Sequence, residues 1–173
     1  MQDFLGNEIV AGDRILLLHK AAKYLPNGEN GKMIRYTGGN VMDIGILDHI
    51  TEHYVFLQKS DGSIVRATKD YTNVYRLDQG FLMDASQNVE GLKDLNGQVI
   101  NINDGVIVKK PDYYKNLTGL SYGKVISVSS ARAKVQYVDG KSVVSKTMDP
   151  RFIMVVGKYD KVIMEKLLKN KSK

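Results

Sequence analysis

Asp94-Leu95-Asn96-Gly97-Gln98-Val99-Ile100, followed by Asn103-Asp104-Gly105-Val106-Ile107-Val108, repeats the opening of the chain. Ninety-one residues earlier stand Asp3-Phe4-Leu5-Gly6-Asn7-Glu8-Ile9, then Gly12-Asp13-Arg14-Ile15-Leu16-Leu17. Asp3, Gly6, Ile9 and Asp13 recur unchanged, while Ile15 and Leu17 become Val106 and Val108. A second block recurs at an offset of 78: Gly45-Ile46-Leu47-Asp48-His49-Ile50 against Gly123-Lys124-Val125-Ile126-Ser127-Val128, and Leu57 to Gly62 against Val135 to Gly140. Two collinear blocks point to a duplicated unit rather than one large domain. The shorter second offset leaves 13 extra residues in the first copy, around Pro26 to Asn40. That stretch is rich in Gly and Asn, so it reads as an enlarged surface loop.

Each copy has the pattern of β-strands. Ile15 to Leu18 and Val106 to Val108 are short apolar runs of strand-forming residues, each led by an Asp-containing turn. Asp61-Gly62 and Asp139-Gly140 stand between alternating segments, which is a hairpin signal. Ala133, Val135 and Tyr137 alternate with Arg132, Lys134 and Gln136, so one face is apolar and the other polar. The expected fold class is all-β: two tandem small barrels and a short C-terminal helix. The expected boundaries are a first barrel over 1–80, a linker over 81–92, a second barrel over 93–157 and a lysine-rich helix over 158–173. In that helix Tyr159, Ile163 and Leu167 recur at helical spacing. The second barrel is expected to fold alone when cut free at the linker.

Composition removes several functional classes. The chain has 173 residues, 43% hydrophobic and 25% charged, a globular balance. No cysteine is present, which excludes disulfides, thiol catalysis and cysteine-bound zinc. No apolar run approaches the roughly 20 residues of a membrane helix, and the N-terminus lacks the basic-then-apolar layout of a signal peptide. The expected location is therefore the cytoplasm, with no membrane partner. Formal charge is +6 and is unevenly spread. Residues 1–92 hold 9 Lys and Arg against 12 Asp and Glu; residues 93–173 hold 16 against 7. A basic second half beside an acidic first half points to an anionic partner for the second.

Candidate catalytic motifs fail on their context. Gly119-Leu120-Ser121-Tyr122-Gly123 has the spacing of a nucleophile elbow, but a strand follows it where a helix is needed, and no histidine lies after it. His49 and His53 have the spacing of two helical metal ligands but fall at a β-hairpin. Gly28-Glu29-Asn30-Gly31-Lys32 is half a phosphate loop without the Ser or Thr that would hold magnesium. Asn116-Leu117-Thr118 would accept a glycan only in an exported protein. We therefore expect no enzyme, no catalytic residue, no metal site and no cofactor.

Asp104-Gly105-Val106-Ile107-Val108-Lys109-Lys110, a polar loop, and then Tyr122-Gly123-Lys124-Val125-Ile126 resemble the KOW motif of SH3-like barrels. The first copy resembles it more loosely through Gly12-Asp13-Arg14-Ile15 and Gly45-Ile46-Leu47. The opening Asp3 to Ile9 with Gly12-Asp13 is also similar to small transcription-modulating accessory proteins of T-even-type bacteriophages. The resemblance implies contact with nucleic acid or polymerase, and a phage early protein acting on the host nucleoid. The candidate nucleic-acid-binding residues are Lys109, Lys110, Tyr113, Lys115, Lys124, Arg132, Lys134, Lys141, Lys146 and Arg151, all in the second copy. Flexible cations of this kind bind phosphates without reading bases, so the expected function is binding of double-stranded DNA with little sequence preference. A host nucleoid-associated protein or RNA polymerase is the further partner the resemblance implies. The alternatives are an RNA-binding or ribosome-associated KOW protein, and a protein-interaction module of a phage particle or of RNA polymerase.

Overall fold

Leu16 and Leu18 of strand β1 (Arg14–Pro26) are as buried as Ile15 and Leu17, although they point to opposite faces. The same holds for Ile107 between Val106 and Val108 in β6 (Asp104–Lys109). A strand covered on both faces loses polar alternation and becomes a continuous apolar run. The fold follows from what covers each face. The computed structural model describes residues 1–26, 33–77, 90–110 and 119–170, with side chains over 22–38 and at 170 outside the description.

In chain order the first half adds β2 (Met33–Ile50), β3 (Tyr54–Gln58), β4 (Ile64–Thr68) and β5 (Val74–Arg76). The second half adds β7 (Leu120–Val128), β8 (Ala133–Asp139), β9 (Ser142–Met148) and β10 (Ile153–Lys158), then helix α1 (Lys161–Asn170). The chain is thus mostly β, in two five-stranded antiparallel sheets. Their orders, β4-β3-β2-β1-β5 and β9-β8-β7-β6-β10, are the same path traced twice. Small irregularities repeat as well: a bulge between Leu47 and His49 recurs between Val125 and Ser127. Among the described residues no ladder joins the two edge strands of either sheet, so neither sheet closes on itself by pairing.

Each sheet is closed at one end by a buried aspartate. Asp94 Oδ1 accepts the Asn96 and Gln98 N–H groups at 2.8 and 2.9 Å, while Oδ2 accepts Val155 N–H of β10 at 2.7 Å. Asp3 repeats this: Oδ1 accepts from Leu5 and Asn7, and Oδ2 from Arg76 of β5 at 3.1 Å. Alongside, Leu95 N–H donates to Ile153 and Phe4 N–H to Val74. Burial holds the Asp94 carboxyl above the usual carboxylate range, against the pull of its amide donors. Gly123 has a second structural duty: a Cβ there would lie 2.6 Å from the Gln136 carbonyl oxygen, and one at Gly45 would strike the carbonyl of Gln58. Strands β2 and β3, like β7 and β8, approach closely enough only because these positions lack side chains.

Three apolar clusters fill the structure. Ile9, Ile15, Leu17, Leu47, Val55 and Leu57 form the first sheet's own core, and Val106, Val108, Val125, Val135, Tyr137 and Ile153 the second's. The third draws on both halves: Leu16, Leu18 and Met42 from the first meet Ile107, Tyr122, Met154 and helix residues Met164 and Leu167. Cutting the second half free would keep its own core but expose this third surface, where each fully buried side chain is worth about 1.5–3 kcal/mol. Tyr122 is its polar anchor; its hydroxyl accepts Asp160 N–H at 2.7 Å, and Tyr159 stacks on its ring.

Two expectations change. Part of the stretch expected as an enlarged loop is strand: β1 and β2 continue pairing from Lys20↔Asn40 to Pro26↔Met33, while 27–32 lie outside the described residues. Gly and Asn residues suggest a loop, but backbone pairing between two strands does not need apolar alternation. The helix begins at Lys161 rather than 158 and buries Met164 and Leu167, while Val162 stays 70% exposed. The expected linker, 81–92, lies outside the described residues as far as 89.

The aspartate tie gives a test. In Asp94→Asn the amide oxygen still serves the turn, but its NH2 faces the Val155 N–H, leaving donor against donor in a buried site. A loss of about 1–3 kcal/mol in unfolding free energy is expected by denaturant titration. A loss below about 0.5 kcal/mol would show that the tie does not hold the last strand.

Candidate nucleic-acid interface

Lys109 closes β6, and Lys110 follows with its N–H donating to Gly119 at 2.9 Å, so both start from fixed backbone. Arg132 lies at the end of the β7–β8 turn. Ser129 Oγ accepts the Arg132 N–H at 3.1 Å and donates to its carbonyl at 2.8 Å, which locks that turn. Lys146 pairs with Val135 across β8 and β9, and directly opposed residues share a face, so it lies on the inner side of an edge strand. Sequence-distant as they are, these four cations line one open groove of about 360 Å³, with Met148 and Phe152 as its apolar part. Lys109 Nζ stands 4.8 Å from the centre of the Phe152 ring.

Two carboxylates temper the charge. Lys110, whose side chain is only 14% exposed, is 4.0 Å from Asp139. At the rim, Asp149 accepts from Arg151 Nε and Nη2 at 3.0 and 2.9 Å, a bidentate pair, and also from Arg151 N–H. That pair lowers the Asp149 carboxyl to about 2, with Arg132 adding a smaller pull. Asp149 is therefore ionised at neutral pH and paired with Arg151, whose side chain is otherwise exposed.

The other expected cations lie elsewhere. Lys134 pairs with Thr147 on the outer face of β8, exposed and without an ion pair among the described residues. Lys141 occupies the two-residue turn between Asp139 and Ser142, after Gly140 with its φ of 61°. It is roughly 25 Å from Arg132 at about 3.3 Å per strand residue, so the two stand at opposite ends of β8. Lys124 leans over the Tyr159 ring at 5.2 Å. Tyr113 and Lys115 lie outside the described residues. Sequence reasoning missed Phe152 and the moderating roles of Asp139 and Asp149, because sequence spacing does not show which strands meet at an edge.

The first half supplies the comparison. Following the two ladders, Lys109, Lys110, Arg132 and Lys146 correspond to Leu18, His19, Tyr54 and Val65. Of these only His19 can carry charge. It is 8% exposed, with Nε2 2.6 Å from Asp43, and this hydrogen bond holds the Asp43 carboxyl below the usual range. The same frame thus builds a basic groove in one copy and none in the other.

The motifs set aside on sequence also find places. Ser121 is buried in β7, with its hydroxyl donating to the Val138 carbonyl at 2.7 Å. His49 and His53 bracket the β2–β3 turn and face Asp48 and Glu52 respectively. Residues 28–31 and Lys32, the half phosphate loop, and Asn116 to Thr118 lie outside the described residues. Among the described residues no helix is long and apolar enough to cross a membrane. Compared with protein-family models, curated proteins and solved structures, the chain gives no significant match.

If Asp149 moderates the groove, Asp149→Asn should raise affinity for a short DNA duplex about two- to fivefold at low salt. The asparagine keeps an acceptor for the Arg151 N–H while removing the charge. Gel-shift titration measures this, and a fall in affinity would show that Arg151 has to be held by Asp149 in order to act.

Proposed function

We propose that the chain binds double-stranded DNA through phosphate contacts in the groove of Lys109, Lys110, Arg132 and Lys146. The convergence of these four cations from three separate segments of the second half carries this reading. The shared strand order of the two sheets supports reading them as tandem SH3-like units of KOW type, one adapted for charge. Lysine and arginine on strands and turns contact phosphates with little demand on sequence, and the one α-helix among the described residues, α1, buries its apolar side against the sheets. Affinity therefore comes from charge and counterion release, with little discrimination among duplexes. By occupying DNA in this way the protein modulates transcription, as the phage accessory proteins it resembles are expected to do, in the host cytoplasm at the nucleoid. A nucleoid-associated protein or RNA polymerase is the partner such a role would bring close.

Electrostatic binding has a quantitative signature. With three to five cations engaged, log affinity should fall linearly with log salt at a slope of about −3 to −5. Arg132→Glu with Lys146→Glu should weaken duplex binding by about a hundredfold, at roughly 1 kcal/mol or more per contact before repulsion is added. Lys20→Glu with Lys69→Glu, exposed cations of the first half, should weaken it less than about threefold. Equal losses from both pairs, or a flat salt response, would contradict the groove as the binding site.

A further inference from the structure

The two sheets present opposite kinds of surface on their solvent faces. In the second half, the outward rows across β7, β8 and β9 are Lys124, Gln136 and Ser145, then Ser127, Lys134 and Thr147. At the same places in the first half stand Ile46, Gln58 and Ile64, then His49, Phe56 and Arg66, with Tyr54 beside them. The frame does not require exposed aromatic residues here, since its other copy does without them. The rings are organised. The His49 imidazole stacks on Phe56 at 4.2 Å and 12°, and Tyr54 meets Phe56 edge-on at 6.4 Å. The Arg66 guanidinium lies over Tyr54 at 4.8 Å. His49 and Tyr54 are exposed, and Ile46 and Ile64 extend the surface at 45% and 56% exposure.

We propose that this face is a stacking platform for unpaired nucleobases, giving the protein a second mode of contact with single-stranded nucleic acid. The inference rests on the reading of the chain as a nucleic-acid-binding protein, whose basic second half brings the polymer close. A flat sheet face bearing rings and an arginine plane suits a planar base, and every base offers a face to stack. Charge contributes little locally. Asp48 lies 2.6 Å from His49 Nδ1 and Glu52 3.8 Å from His53 Nε2, while Lys59, Arg66 and Lys69 lie near the same strands as Asp61, so both signs of charge are present. Contact here depends on bases, whereas the groove depends on phosphates. The two modes should therefore separate by salt as well as by mutation.

The test compares a 20-nucleotide oligothymidylate, an abasic strand of equal length and a duplex, each titrated by fluorescence anisotropy against the full chain. The native protein should prefer oligothymidylate over the abasic strand by about tenfold or more, with little change in this ratio between low and moderate salt. Tyr54→Leu with Phe56→Leu keeps apolar bulk but removes the rings; it should bring the ratio close to one and leave duplex affinity unchanged. Should that pair lower the melting temperature severely, Tyr54→Leu alone, at an exposed site, should still cut the ratio about threefold. Equal binding of the thymidylate and abasic strands, or no binding of either, overturns the platform. A ratio that survives the leucine pair also overturns it and places the base contacts elsewhere on the protein. Loss of native duplex binding alone would count against the groove, not against the platform.

Discussion

Asp3 and Asp94 each join the first turn of a sheet to its last strand, and the rest of each half depends on that join. Without it β5 and β10 would be short edge strands held by a few ladder bonds, and the backbone amides of the opening turn would lack acceptors. A buried carboxylate is costly unless each oxygen is used. Here both oxygens accept backbone N–H groups in both copies. The constraint explains why the recurring Asp-x-x-Gly-x-x-Ile pattern survives where other positions have drifted. It also explains why the drift is free to change surface chemistry: the tie uses only backbone donors from the strand it holds.

With the frame held in this way, the two halves divide their surfaces. Each central strand, β1 and β6, has one face in its own core and the other in the shared cluster with α1. The faces left to solvent are those farther along each sheet, at β3–β4 and β8–β9, and there the copies diverge. One carries aromatic rings, the other polar residues with Lys134 among them. An apolar joint between the halves fixes these surfaces on one body, so the charge of the second half acts on any polymer that meets the first.

Much of the frame was legible in the sequence. The duplication, the hairpins at Asp61-Gly62 and Asp139-Gly140, the alternation through Ala133 to Tyr137 and the closing helix all appear in the structure, because period and turn chemistry are local. The ribbon formed by β1 and β2 was not legible, since Gly38, Gly39 and Asn40 look like loop residues although they lie within β2. The joint between halves leaves its signal in Ile15 to Leu18, which do not alternate as a strand open to water on one side would. The groove was half legible. The cations could be named, but which of them meet depends on Lys146 facing inward on an edge strand and on Arg151 being taken up by Asp149. Tyr54 and Phe56, two apart on an alternating strand, share a face, but their meeting with His49 and Arg66 depends on strand register, which spacing does not show.

The central claim is that duplex DNA is held by the groove of the second half alone, although the first half shares its frame. Backbone amide NMR of the full chain, titrated with a short duplex at low salt, tests it directly. The account predicts that the shifts at saturation concentrate at Lys109, Lys110, Arg132 and Lys146 and leave Leu18, His19 and Val65 near their free positions. Shifts of equal size at both sets of positions, or shifts confined to the first half, would contradict it.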